Sequence, residues 1–312
     1  MSTPSTIKNT LLTIEAQIGQ HPLEQLLAMV GESKSNNPSN PDADCDRAVL
    51  FQALGQHSGA AQAIAEALRM TPAHARALQL QQLLEPYIPP QGEIAEHSML
   101  SKERLESLQH LTNRVLAESI PGDLIECGVA GGGSLSVMAQ VLKKHNDPAR
   151  RCIGLDTFAG MPAPTGRDTA HGIHANDTGW GHGTCSSGGT QRIQSMLESK
   201  GLVDRVELIE GLFEDTLPAF RQRMINEGRT IALLHCDADW YSSTKCITDH
   251  LWDLMSPGGL IQIDDYGHWD GCRQAIDEAL VKINPTPRLH RIDYTGRWLQ
   301  MPPLSACSIH GT

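Results

Sequence analysis

Residues 124–142 read LIECGVAGGGSLSVMAQVL: a short apolar run, a glycine-rich turn, then a helical pattern. Glycines there let the backbone turn sharply and approach a ligand closely. The same rhythm continues along the chain. Short apolar runs at 124–127, 152–155, 206–209, 231–236 and 260–263 alternate with helical segments. Strands alternating with helices predict an α/β fold, a doubly wound, mostly parallel sheet covered on both faces. Residues 288–301, RLHRIDYTGRWLQM, read as two strands joined at Thr295-Gly296, an antiparallel hairpin at the sheet edge.

Upstream the pattern differs. Residues 1–32 carry helical periodicity in Leu11, Leu12, Ile14, Ile18, Leu23, Leu26, Leu27 and Val30. The polar stretch 31–44, GESKSNNPSNPDAD, reads as a loop, and residues 46–85 as helical again. Within them, 55–77 resembles a tetratricopeptide unit: Gly55, Ala60, Ile64, Ala67 and Pro72 fall at its spacing, and Ala48 and Phe51 fit its first helix. One copy cannot bury its own face, and a plain helical hairpin explains the same pattern. EPYIPPQGE at 85–93 breaks the helix. The expected division is a helical extension over 1–90 and an α/β domain over 91–312. The extension is a candidate surface for self-association or a protein partner.

Of the 312 residues, 40% are hydrophobic and 4% aromatic, so aliphatic side chains must supply most of the core. The net charge of −11, with no basic run, argues against nucleic acid or an anionic membrane surface as partner. No stretch approaches 18 uninterrupted apolar residues, and the N-terminus lacks a secretory pattern. The eight cysteines include no C-x-x-C pair, and Cys127, Cys152 and Cys236 fall in expected strands. Reduced thiols in a cytoplasmic protein are expected.

Glu126 stands just before the first glycine of the turn, and the next apolar run ends at Asp156. The G-x-G-x-x-G dinucleotide pattern is not met, because Ala130 stands where its second glycine would be. A carboxylate at 126 repels a pyrophosphate but suits the ammonium group of S-adenosylmethionine. Asp156 can accept from both ribose hydroxyls. These features favour a methyltransferase over a dehydrogenase. The expected contacts are Gly128, Gly131, Gly132 and Ser134 of the turn, with Thr157 beside Asp156.

Two other strands run into paired acids: IALLHCDADWY at 231–241 and LIQIDDY at 260–266. Two carboxylates 4 Å apart repel by about 1 kcal/mol in water and about 4 kcal/mol at an effective dielectric of 20. Asp237, Asp239, Asp264 and Asp265 together therefore call for a positive partner. Hard oxygen donors without a Cys or His motif suit Mg2+, or Mn2+.

The motifs PGDLIECGVAGGGS, LDTFAGMP, LIEGLFEDTLP, LHCDADWYSST, MSPGG and IDDYGHWDGCRQAIDE span roughly 97–285. In them the chain resembles the macrocin O-methyltransferase family. The resemblance implies a Rossmann-like class I methyltransferase with a seven-stranded sheet, S-adenosylmethionine and a divalent metal, methylating a sugar hydroxyl on a small molecule. It implies Asp237, Asp264 and Asp265 as metal ligands and Asp239 as general base. A lid from HSMLSKERL, with Met99 and Ser101, and cofactor contacts from Gly211, Phe213 and Glu214 are implied too. Family relatives often carry a basic residue where Ala130 stands. The glycine-rich stretch after GMP also differs from theirs, which leaves the substrate open. His268 and Arg273 are the expected substrate contacts, and His235 is expected as a core histidine. A catechol-type O-methyltransferase and a non-catalytic interaction protein are the rival readings.

Overall fold

The computed structural model describes residues 39–53, 57–83 and 97–302. The chain divides into two compact units, Met1–Tyr87 and Ile88–Thr312. In the first, α1 (Pro41–Ala53), α2 (His57–Met70) and α3 (Ala75–Leu83) pack around small side chains, among them Cys45, Ala48, Ala60, Ala63, Ala67 and Ala77. The polar stretch expected as a loop is helical from Pro41 onward. Proline is tolerated at the first helical position, where its missing N–H would have no partner. Asn40 Oδ1 accepts the Asp42 N–H at 3.0 Å, and Asp42 and Asp44 in the first turn suit the helix dipole. The helices expected over 1–32, the 85–93 linker and Gly55 lie outside the described residues.

The second unit holds the strands β1 (Asp123–Cys127), β2 (Cys152–Asp156), β3 (Thr169–Ala170), β4 (Ile173–His174), β5 (Val206–Glu210), β6 (Ile231–Cys236), β7 (Met255–Ile263), β8 (His290–Arg291) and β9 (Arg297–Gln300). Its helices are α4 (Lys102–Ala117), α5 (Gly133–Lys144), α6 (Thr190–Ser199), α7 (Phe213–Asn226), α8 (Tyr241–Leu251) and α9 (Asp270–Leu280). Seven strands form one sheet in the order β5-β2-β1-β6-β7-β9-β8, parallel except at β9 and β8. β3 and β4 pair separately, a small hairpin within the loop after GMP that no apolar run announces.

Every residue of β1 and β6 is buried. Successive side chains feed opposite faces. Ile125 and Cys127 join a core with Leu217 and Phe220 of α7, Ile247 of α8 and Ile276 of α9. Leu124 joins another with Leu108 and Leu111 of α4, Met138 of α5 and Ile193 of α6. β7 begins at Met255, five residues before the apolar run that marks it. Its pairing with β6 shifts register between Ile231 and Leu233, a bulge that takes up the Pro257-Gly258-Gly259 stretch.

The chain runs from β1 to β2 and β5 on one side, then to β6 and β7 on the other, so strand order reverses beside β1. In open sheets, ligands bind beyond the carboxyl ends of strands at such a reversal. Three strand exits interlock there: Gly128 N donates to Leu155 O, Asp237 N to Cys127 O and Asp264 N to Cys236 O, each at 2.9 Å. At the opposite pole, buried Asp123 accepts from Arg229 Nε at 2.6 Å and from the Arg151 amide at 2.8 Å.

The seven cysteines among the described residues are unpaired thiols. Burial pushes those of Cys127, Cys152 and Cys236 well above the usual thiol range, which keeps them protonated. Among the described residues no helix is long and apolar enough to cross a membrane.

Candidate active site

The turn after β1 carries positive φ at Gly128 (+91°), Ala130 (+44°) and Gly132 (+84°). Gly128 has a second constraint: a Cβ there would lie 1.5 Å from Asp237 O. A Cβ on Gly131 would lie 2.6 Å from His97 O, so the segment leading into α4 lies directly on the turn. Asp156 closes the turn from below. Its Oδ2 accepts from Val129 N at 2.6 Å and Ala130 N at 2.9 Å, and its Oδ1 from Phe158 N at 2.7 Å. The carboxylate expected to meet a ribose thus also holds the loop.

A cleft opens at this end of the sheet. Of the residues expected to bind a cofactor, Met99, Gly128, Asp156, Thr157, Gly211, Phe213 and Glu214 line it, joined by Asp237 and Asp239. Ala130, Met161, Cys185 and Ser243 line it too, without having been anticipated. Others stand behind the wall. Ser101 Oγ caps α4, accepting from Arg104 N at 3.2 Å, and donates to Asp293 Oδ2 at 2.7 Å. Gly131 and Gly132 are pressed against His97 and Ile193, and Ser134 is buried at the start of α5. Glu126 is fully buried, and its Oε1 lies 2.7 Å from His235 Nδ1. It faces a protein partner rather than the cleft.

The acids gather beside the cleft in two compact donor groups, His235–Asp237–Asp264 and Asp237–Asp239–Asp265. Within each group, one ligand atom per residue lies within 4.8 Å of the others. Asp237 belongs to both. Arg104 Nη1 pairs with Asp264 Oδ2, and its Nε with Asp293 Oδ2 at 3.0 Å. Burial, then repulsion from Asp264 and Asp265, pushes the Asp237 carboxyl well above the carboxylate range. Burial, then Asp239 and Asp264, does the same to Asp265. Asp239 is pushed up to about 7 by burial, with Trp269 pulling against it and Asp264 adding to it. Its Oδ1 accepts from Trp269 Nε1 at 2.9 Å, and its amide donates to Asp265 Oδ2 at 3.3 Å. Burial works against charge on His235. The nearby Asp264 and Glu126 carboxylates, the latter hydrogen-bonded to it, outweigh burial and lift the imidazole to about 9.

These groups fit a divalent cation. Asp264 Oδ1 is buried without a hydrogen-bond partner, and the single guanidinium of Arg104 is shared with Asp293. An oxygen-rich, under-neutralised cluster is a hard-cation donor set.

The glycine-rich stretch after GMP is fastened to the acid cluster. Fully buried Asp168 accepts from Thr165 N at 2.6 Å and Tyr241 N at 2.7 Å, and Trp240 Nε1 donates to Pro162 O at 2.9 Å. Thr169 Oγ1 donates to Asp270 Oδ2 at 2.7 Å. His171 Nε2 lies 2.7 Å from Tyr294 OH, and His268 Nδ1 lies 3.3 Å from it. His268 is not among the residues lining the cleft and approaches it through its ring contact with Trp269 (centroids 4.5 Å apart), which reaches Asp239. Arg273 turns away: its Nε donates to Tyr266 O at 3.1 Å and its guanidinium lies 3.6 Å from Asp270.

Sequence reasoning missed Arg104, Trp269 and Tyr294, and placed His235 in the core without a function. Only His235 left a signal. Standing two residues before Asp237, it shares that residue's side of the strand.

The sequence model of the macrocin O-methyltransferase family, TylF, matches residues 28–301. The match starts well before the motif-bearing stretch and takes in most of the helical unit's residues. A tetracenomycin-C derivative 4'-O-methyltransferase of Streptomyces olivaceus, named for the 2,3-dimethoxy-α-L-rhamnosyl group of its substrate, is 35% identical over 214 residues. That alignment covers 68% of this chain and 78% of the relative. Mycinamicin III 3''-O-methyltransferase of Micromonospora griseorubida is 29% identical over 201 residues, 64% of this chain and 76% of the relative. The solved O-methyltransferase NovP superposes with a TM-score of 0.56 at 29% identity, covering 66% of this chain and 82% of its own. The calicheamicin methyltransferase CalS11, at 20% identity and a TM-score of 0.52, shares the fold.

Proposed function

The chain belongs to the macrocin O-methyltransferase family and is an S-adenosylmethionine-dependent O-methyltransferase; from that premise we propose that its acceptor is a hydroxyl of a sugar on a small-molecule natural product and that a divalent cation, Mg2+ or Mn2+, assists the transfer. The observation that carries this is the place of Asp239. It shares one cleft with Asp156, Gly211 and Phe213 while touching the acid cluster through Asp265. The relatives' sugar-bearing substrates support the acceptor class.

Asp156, the glycine turn and the Gly211–Glu214 segment hold the nucleoside, and Met99 closes over it from the α4 side. Glu126, buried against His235, acts on the turn from behind. Asp237, Asp264 and Asp265 would hold the cation, which supplies Lewis acidity and makes a nearby hydroxyl more acidic. Asp239 takes the acceptor proton as the new carbon–oxygen bond forms. A positioned base of this kind contributes about 10²- to 10⁴-fold. Trp269 fixes the rotamer of that base, and the backbone N–H to Asp265 fixes its height. The loop pinned by Asp168 and Trp240 screens the reacting atoms from water, which strengthens every charge interaction inside. His268 and Tyr294, which reach the acids through Trp269, would meet the incoming sugar; Arg273 braces the DDY turn.

Calorimetric titration of S-adenosylhomocysteine and Mg2+ tests the reading on wild type and Asp264→Asn. The nucleoside should bind both proteins, and Mg2+ the wild type alone. Nucleoside binding with no cation binding to either protein overturns the metal half. Methyl transfer to catechols but to no glycoside overturns the acceptor class.

A further inference from the structure

The first turn of α4 is clasped to the far side of the sheet by one side chain. Arg104 follows Ser101, the residue that caps the helix. Its Nη1 pairs with Asp264 Oδ2 at the exit of β7. Its Nε donates to Asp293 Oδ2 at 3.0 Å, in the loop between β8 and β9, and lies 3.3 Å from Ser101 Oγ. Ser101 Oγ donates to the same Asp293 oxygen at 2.7 Å. Asp293 is held in turn, its Oδ1 accepting from Gly296 N at 2.6 Å and Thr295 N at 3.0 Å. A Cβ on Gly296 would lie 2.9 Å from Arg104 Cγ, so the loop closes tightly on the guanidinium arm.

The residues just before this clasp lie on the glycine turn. A Cβ on Gly131 would come within 2.6 Å of His97 O, and one on Gly133 within 2.6 Å of Ser98 Cβ, while Met99 lines the cleft. One short stretch, 97–104, therefore touches the turn at one end and the acids at the other. Arg104 uses only one oxygen of Asp264. Oδ1 stays buried without a partner. The guanidinium thus fixes the rotation of that carboxylate and leaves one oxygen to ligate. The two positive groups do not exclude each other. The carboxylates of Asp237, Asp264, Asp265 and Asp293 all act on Arg104, and in ionised form they outweigh a guanidinium and a divalent ion together.

We propose that Arg104 is a positioning residue that couples the cofactor to the cation, so that each ligand tightens the binding of the other. The coupling rests on the nucleoside and cation reading of this cleft. Its two states are a closed clasp, with the contacts above, and an open one in which 97–101 lifts with the first turn of α4 and Asp264 loses the partner that orients it. The nucleoside meets Met99 only when the clasp is closed. The cation prefers the same state, because a carboxylate already oriented need not be ordered on binding. Read from either ligand, the coupling factor must be the same.

The test is calorimetry on the full chain: S-adenosylhomocysteine with and without saturating Mg2+, and Mg2+ with and without saturating nucleoside. In wild type each should tighten the other by about fivefold or more. Arg104→Gln should still bind the nucleoside, with the factor reduced to about one. Arg114→Gln is the control. It frees the other end of α4 from Glu118 and Gln300 and should keep the wild-type factor. Loss of coupling in both variants makes Arg104 a brace for the helix and overturns the proposal. Wild type that binds both ligands independently overturns it too and leaves the proposed function standing. Wild type that binds no Mg2+ in either titration overturns the cation reading and the coupling together. Hydrogen exchange needs no variant: Mg2+ alone should slow amide exchange across 98–105, and unchanged exchange in cation-bound protein overturns the clasp.

Discussion

Asp239 takes up a backbone conformation that few side chains adopt, with φ at +53°. Such strain persists only where the surroundings over-determine it, and here Trp269, Asp265 and the strand exit of β6 do so. Asp239→Asn keeps the shape and removes the base. Turnover should fall by about 100-fold or more, while calorimetry should find S-adenosylhomocysteine affinity changed by about threefold at most. The neighbouring acids make a second prediction. The folded-state pKa values of Asp237, Asp239 and Asp265 lie above their unfolded values, so the folded chain binds protons more tightly than the unfolded one. That contribution to stability is whole below the unfolded aspartate pKa and is lost as pH rises through the folded values, about 7 for Asp239. Scanning calorimetry of the metal-free protein should show Tm falling between pH 6 and pH 8. Added Mn2+ or Mg2+ should raise Tm more at pH 8 than at pH 6. A flat metal-free profile would mean that Arg104 already neutralises the cluster.

At the scale of elements, the strand, turn and helix around β1 were legible because each part has a local cause: apolar continuity, then glycine, then helical spacing. The acids at the ends of β6 and β7 were legible for the same reason. Arg104 was not, since 160 residues separate it from Asp264 and nothing local marks a helix-borne arginine as a partner for a distant strand end. The early start of β7 was hidden by Pro257 and Gly258, residues that ordinarily argue against a strand and here sit at a bulge. Glu126 was expected to meet the cofactor from its place before the glycine turn; it turns instead to His235, and no sequence pattern says which way a buried carboxylate turns. Gly128 bears the strongest prediction at this scale. Gly128→Ala needs both a left-handed alanine and a shift of the Asp237 carbonyl. It should cost about 3 kcal/mol or more in chemical denaturation and abolish cofactor binding. Gly166→Ala meets nothing within 4 Å and should change stability by about 0.5 kcal/mol or less.

For the whole molecule, the alternation of strands and helices announced the fold class, whereas the order β5-β2-β1-β6-β7-β9-β8 depends on crossovers that periodicity does not encode. Every residue placed at the cleft belongs to the second unit. Residues 88–312 produced alone should therefore bind S-adenosylhomocysteine within about threefold of the full chain, a difference of about 0.7 kcal/mol; a much larger loss would show that the first unit shapes the site. The pairing of Asp123 with Arg229 joins residues 106 positions apart, and β6 must dock on β1 for it to form. On a ribosome adding 5–20 residues per second, β1 is made roughly 5–20 s before that neighbour exists. For that interval a strand destined for complete burial has one flank open. The newborn chain is then most exposed to aggregation or to capture by a chaperone, and slowing translation between residues 127 and 231 would lengthen that vulnerable period.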